Sequence, residues 1–217
     1  MRSALSRCSV AIVAGVFALL MSGSAAMAQS AATLKVQAAE LDQRGDLNGA
    51  IEKYRQALVL APNDKMIKIN LAEDLNNAGI AQYNNKDFAG AEAKFQEALT
   101  LVPSFQRAQD NLNHVQAAKL TAEGITLYKN ADFPGAIAKF VAALVLEPDY
   151  KSAKVNRDAA EAEVMMRSDD FAGAVAKLQE ATTLAPTNAM LQNKLAQAQA
   201  QLSAQQAAAE KDKNKNK

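Results

Sequence analysis

Apolar positions along the chain fall three or four residues apart. Leu47, Ala50, Tyr54, Ala57 and Leu58 mark one face of a helix. Asp46 stands at its start, where a carboxylate accepts from free first-turn N–H groups and suits the helix dipole. Pro62 stops that helix or opens the next. A second amphipathic stretch lies upstream of such segments, with Leu75, Gly79 and Tyr83 spaced by four, and likewise Leu120, Gly124 and Tyr128.

The pattern recurs. Asp46–Ala50, Asp87–Ala91, Asp132–Ala136 and Asp170–Ala174 align as DLNGA, DFAGA, DFPGA and DFAGA. Each is followed by a lysine (Lys53, Lys94, Lys139, Lys177), a large apolar residue (Tyr54, Phe95, Phe140, Leu178), an alanine (Ala57, Ala98, Ala143, Ala181) and a proline. Pro62, Pro103, Pro148 and Pro186 are four of the five prolines, so the register is no accident of composition. Each unit reads as an αα-hairpin. A small residue of its first helix (Ala38, Gly79, Gly124, Ala162) is expected to approach Ala50, Ala91, Ala136 or Ala174 at the crossing.

L-x3-[GA]…[LFY]-x2-A-x3-[FY]-x2-A-x4-P resembles the tetratricopeptide repeat, over almost all of Ala31–Pro186. The family's usual first aromatic is Leu34, Leu75 and Leu120 here, and Asp158 in the fourth unit. The resemblance implies an all-α, right-handed superhelical solenoid of four hairpins, approximately 31–62, 64–103, 104–148 and 149–186. The family's period is about 34 residues, whereas the steps between Ala50, Ala91, Ala136 and Ala174 are 41, 45 and 38. The excesses are close to whole helical turns, which preserve the phase of the apolar face. They predict lengthened first helices over Asp64–Asn85, Ser104–Asn130 and Asp149–Ser168. Thr187–Glu210, with Leu191, Leu195 and Leu202 on one face, reads as a capping helix. Lys211–Lys217 carries no apolar residue and reads as a disordered tail.

The N-terminus changes the compartment. Arg2 and Arg7 precede the apolar run Val10–Met21, and Ala26-Met27-Ala28 has the small-x-small pattern of a signal-peptidase site. Residues 1–28 read as a cleaved signal; the run is too short to span a bilayer. Cleavage after Ala28 places the mature chain in the periplasm or outside the cell, with no stable membrane insertion. Without Arg2 and Arg7 the 24 basic residues fall to 22 against 23 acidic ones, a net charge of −1. That argues against nucleic acid as the main partner. Cys8, the only cysteine, leaves with the signal.

The same resemblance places a peptide-binding groove on the first helices. The implied positions are Lys35, Ala39 and Asp42 in unit one, and Asn76, Ile80, Tyr83 and Asn84 in unit two. Unit three supplies Thr121, Ile125, Tyr128 and Lys129; unit four supplies Glu163, Met166 and Arg167. Tyr83 and Tyr128 suit a peptide, each offering apolar area and a hydroxyl; alternatively they pack between hairpins. The family's carboxylate clamp uses two lysines, two asparagines and an arginine. Lys35 and Asn77 match it, but Ala39, Ala118 and Ala122 fill the other places, so acidic chaperone tails are not the expected ligand. The four recurring lysines form either a basic ladder or a solvated surface. His114 is the sole histidine, too few ligands for zinc, and pairs with no nucleophile motif. No phosphate loop or dinucleotide fingerprint appears. The reading is therefore a non-catalytic protein-binding scaffold of the bacterial envelope, without cofactor or metal, whose partners are envelope proteins. A self-associating repeat protein is the alternative, and a carboxylate hydrolase at Asp42 or Glu163 a remote one.

Overall fold

A computed structural model describes residues 30–215; the expected signal peptide, 1–28, and the end of the Lys-rich tail lie outside the described residues. Among the described residues there are nine α-helices and no strand. They are α1 (30–43), α2 (Leu47–Leu60), α3 (Lys65–Asn84), α4 (Phe88–Leu101), α5 (Gln106–Lys129), α6 (Phe133–Leu146), α7 (Lys151–Arg167), α8 (Phe171–Leu184) and α9 (Ala189–Lys215). They divide into two compact units meeting within α5, the first ending at Leu112 and the second starting at Asn113.

The uneven period has one source. Every second helix has 14 residues, while the first helices α3, α5 and α7 have 20, 24 and 17. Turns inside hairpins (85–87, 130–132, 168–170) and between them (61–64, 102–105, 147–150) keep their lengths. All the extra residues therefore lengthen first helices, in agreement with the whole-turn excesses.

A single aspartate closes each first helix and opens the second. The N–H groups of Asp46, Asp87, Asp132 and Asp170 donate to the carbonyls of Leu41, Gln82, Leu127 and Met165, each five residues back. This is the Schellman closure, and it needs left-handed backbone at the residue before. Gly45 (φ 80°), Lys86 (64°), Ala131 (60°) and Asp169 (59°) adopt it. Each Asp carboxylate then accepts from the N–H three residues on, that of Gly49, Gly90, Gly135 or Gly173, at 2.9 to 3.0 Å. A Cβ on any of these glycines would overlap the capping carboxylate, which explains their recurrence.

The crossing differs in one respect from the sequence expectation. A Cβ at Gly79 would lie 2.7 Å from the Phe95 ring, and one at Gly124 2.6 Å from the Phe140 ring. The glycines thus answer to the large aromatic four residues beyond Ala91 and Ala136, because its ring reaches across to the first helix. In the first unit Tyr54, Ile67, Leu71 and Leu75 form the core with Ala38 and Ala98. In the second, Phe140 packs with Ala136 and Ala160, and Leu178 and Leu191 with Ala162 and Ala174.

Helix α9 buries Leu191 and Ala198 against the last hairpin. Asn188 Oδ1 caps its start, accepting from Met190 and Leu191 at 3.1 and 3.3 Å. The helix continues to Lys215, through a segment expected to be disordered. Its Ala, Gln and Lys residues favour helix, and no Gly or Pro follows Pro186 to stop it. No helix among the described residues is long and apolar enough to cross a membrane.

Candidate functional site

In the second unit α7, α8 and α9 line one small cavity, and a side chain of α5 joins the charged pair at its edge. The Tyr128 hydroxyl donates to Glu163 Oε1 at 3.1 Å. Lys194, from α9, pairs with the same oxygen and holds its ammonium 5.9 Å from the Tyr128 ring centre. Beneath them Ala159, Ala162, Met166 and Leu178 line an opening of about 70 Å³, with Lys194 and Gln197 on its α9 side. Burial and the Glu163 charge raise the Tyr128 pKa, so the phenol stays a neutral donor. Burial works against the charge on Lys194, but Glu163 and Tyr128 outweigh it and raise that pKa. The cavity thus joins the apolar side chains of α7 and α8 to a carboxylate and an ammonium, with the Tyr128 phenol bonded to that carboxylate.

The aromatic edge of this region extends to the turn before α6. Tyr128 lies 5.1 Å from Phe133 in a tilted pair, and the Arg167 guanidinium sits 4.4 Å from the Phe133 centroid. Tyr128 is thus half packed and half presented. Ile125 and Met166 are half-buried and pack into core clusters. Lys129 is exposed at the end of α5, and Thr121 is buried with no hydrogen-bond partner for its hydroxyl.

The first unit uses its expected positions differently. Lys35 pairs with Asp64, the N-cap of α3, at 3.7 Å. Backbone donation from Ile67 and Met66, with Lys35, holds the Asp64 pKa low. Asn76 is buried and accepts from Asn111 Nδ2 at 2.7 Å. Tyr83 stacks on Phe88, 5.7 Å away, as Tyr128 does on Phe133. Ile80 and Asn84 are exposed. Asp42, also exposed, lies against the buried Asp74.

Other candidates are held by neighbours. His114 Nδ1 is 2.8 Å from Glu147, with the ring edge-on to Tyr150. Lys139 and Lys177 pair with Glu123 and Glu161 on the first helices of their own hairpins, at 2.7 and 2.8 Å, so two of the four recurring lysines brace hairpins. Among the described residues no group of three or more His, Cys, Asp or Glu is placed to hold a metal ion. Lys194 and Gln197 are the residues the sequence did not suggest. Their helix reads as a cap, and periodicity marks only its buried leucines.

What decides the repeat type is the hairpin itself: a constant second helix, a small residue at the crossing and a proline after each second helix. The hairpins are tetratricopeptide-like. No family model matches the sequence, and no curated protein is significantly similar to it. Solved tetratricopeptide structures are similar at low identity. The C-terminal TPR-containing domain of a Plasmodium falciparum FK506-binding protein is 20% identical, over 66% of this chain and 95% of that one, with a TM-score of 0.39. The C-terminal part of a Cytophaga hutchinsonii TPR repeat-containing protein is 16% identical, over 76% and 73%, at 0.37. The TPR2AB domain of yeast Sti1, in its pHSP90 complex, is 17% identical, over 84% and 88%, at 0.33.

Proposed function

We propose that this chain is a non-catalytic scaffold that binds a partner protein of the bacterial cell envelope through its first helices. The observation that carries the reading is the Tyr128–Glu163–Lys194 cluster, of which Glu163 and Lys194 line a small opening with Ala159, Ala162, Met166 and Leu178. An aromatic, a carboxylate and an ammonium are held there in one place, with apolar floor still accessible between α7 and α9. A bound peptide places one apolar side chain on that floor, while its main chain exchanges hydrogen bonds with Tyr128, Lys194 and Gln197. The export signal sets the compartment. The partly matched clamp, whose Lys35 is engaged by Asp64, argues against acidic chaperone tails as the ligand.

The test is affinity capture from an envelope extract of the source organism. The tagged chain is expected to retain a discrete partner, lost on Tyr128→Ala with Lys194→Ala and kept on Val145→Ala, an exposed position on a second helix. Retention only of itself, or of the same proteins by the double variant, overturns the reading. The intact mass of the exported chain is expected to begin at Gln29.

A further inference from the structure

The caps of the second helices α2, α4, α6 and α8 are alike, but the residue held inside them is not. Ahead of the capped glycine stand Asn48, Ala89, Pro134 and Ala172. Asn48-Gly49 is the single Asn-Gly pair in the sequence. Asn48 is the second residue of α2, and it is exposed. Such a pair carries its own chemistry. The nitrogen of the following amide, once deprotonated, adds to the side-chain carbonyl carbon of asparagine and closes a succinimide ring. Glycine suits this step best, because it has no side chain to crowd the nitrogen and its backbone turns freely.

The fold itself requires that glycine. A Cβ at Gly49 would stand 2.4 Å from Asp46 Oδ2, so a larger residue does not fit while the cap is closed. Asn48 is therefore left without a bulky neighbour to shield it. The same cap restrains the reaction. The Gly49 N–H donates to Asp46 Oδ1 at 2.9 Å, and the Ala50 N–H donates to the Asp46 carbonyl at 3.0 Å. A bond from the amide to a carboxylate favours its protonated form and opposes the anion that must attack. Ring closure thus waits until the first turn of α2 opens, and helix ends open more readily than helix interiors.

We propose that Asn48 is a site of spontaneous deamidation, gated by the Asp46 cap. When the turn opens, the Gly49 nitrogen gives its proton to solvent base and bonds to Asn48 Cγ. The bond from Cγ to the side-chain nitrogen breaks, and ammonia leaves. Water then opens the ring. Attack at the side-chain carbonyl gives aspartate, and attack at the main-chain carbonyl gives isoaspartate. One water is consumed for each ammonia released, and no oxidant or reductant takes part. Aspartate adds a negative charge to the first turn, where the helix dipole favours it. Isoaspartate inserts a methylene into the main chain ahead of Gly49, which carries the Gly49 N–H away from Asp46 and breaks the cap. The first core cluster takes Ile51, Tyr54 and Ala57 from this helix, so the rearranged product loosens the hairpin that the other three caps have no means of loosening.

The experiment is incubation of the full chain at mildly alkaline pH, with peptide mapping by chromatography and mass spectrometry over time. The peptide containing Asn48 is expected to yield two acidic products of equal mass, before any other asparagine of the chain reacts. Asp46→Ala, which frees the Gly49 N–H, is expected to speed the reaction about fivefold, the effect of losing one cap. Asp132→Ala removes the matching cap of α6 and is expected to leave the Asn48 rate unchanged, which separates local from global opening. In urea the rate is expected to be the fastest of all. Asn48 intact in urea, an earlier reaction at another asparagine, an unchanged rate in Asp46→Ala, or equal acceleration by Asp132→Ala overturns the proposal.

Discussion

Replacing Asp74 by asparagine is expected to stabilise the protein at neutral and alkaline pH and to change little in mild acid. Burial and the neighbouring acids move this carboxyl from 3.8 to about 7. The folded chain therefore holds the proton more tightly than the unfolded chain does. The stability this supplies is complete below pH 3.8, declines as pH rises towards 7 and is gone above it. At ~1.4 kcal/mol per pH unit the full span is roughly 4 kcal/mol, a ceiling because water and side chains relax around an ionised group. Asparagine keeps the shape but cannot ionise. Asp74→Asn is thus expected to exceed wild type by about 1–3 kcal/mol at pH 8, and the gap should close towards pH 5. Urea unfolding followed by circular dichroism at both pH values measures it, and groups common to both chains cancel in the difference. A variant less stable than wild type at pH 8, or a gap independent of pH, refutes the reasoning.

Three further changes probe the hairpins. Gly124→Ala puts a methyl 2.6 Å from the Phe140 ring, so the ring or helix must shift, at a cost of about 1–3 kcal/mol; an unchanged thermal midpoint contradicts the close crossing. Ala131→Gly relieves left-handed backbone at φ 60° and is expected to stabilise by about 0.5–1 kcal/mol in denaturant titration; a loss would count against the Schellman turn. Deleting Thr187–Lys217 removes Leu191 and Ala198 from the last core cluster, and light scattering is expected to show aggregation. A monodisperse, soluble product would mean that α9 is no cap.

The architecture was legible because its signals are local. The Asp caps, the prolines and the four-residue spacing mark every second helix, and excesses in whole turns located the longer first helices. The left-handed turn was legible only at Gly45, since Lys86, Ala131 and Asp169 occupy the same conformation without its usual residue. The site was less visible because it depends on what neighbouring helices bring. Lys35 matched a clamp position, yet it is engaged by the cap of α3. Lys194 looked like the polar face of a cap, but α7 lies opposite it and supplies Glu163. Asp74 carries no signal at all, being a polar residue whose burial in α3 depends on the helices packed around it. The tail was misread from composition, which marks polarity but not the absence of a helix stop.

The most direct test of the central claim is a paired photo-crosslinking scan in intact cells of the source organism. Probes at Ile80, Lys129 and Gln197, exposed on first helices and α9, are compared with probes at Val59 and Val145, exposed on second helices. Capture of one foreign protein from the first set, with none from the second, is the predicted result. Capture of that protein from Val59 or Val145 alone, or crosslinks only between copies of this chain, would contradict binding through the first helices.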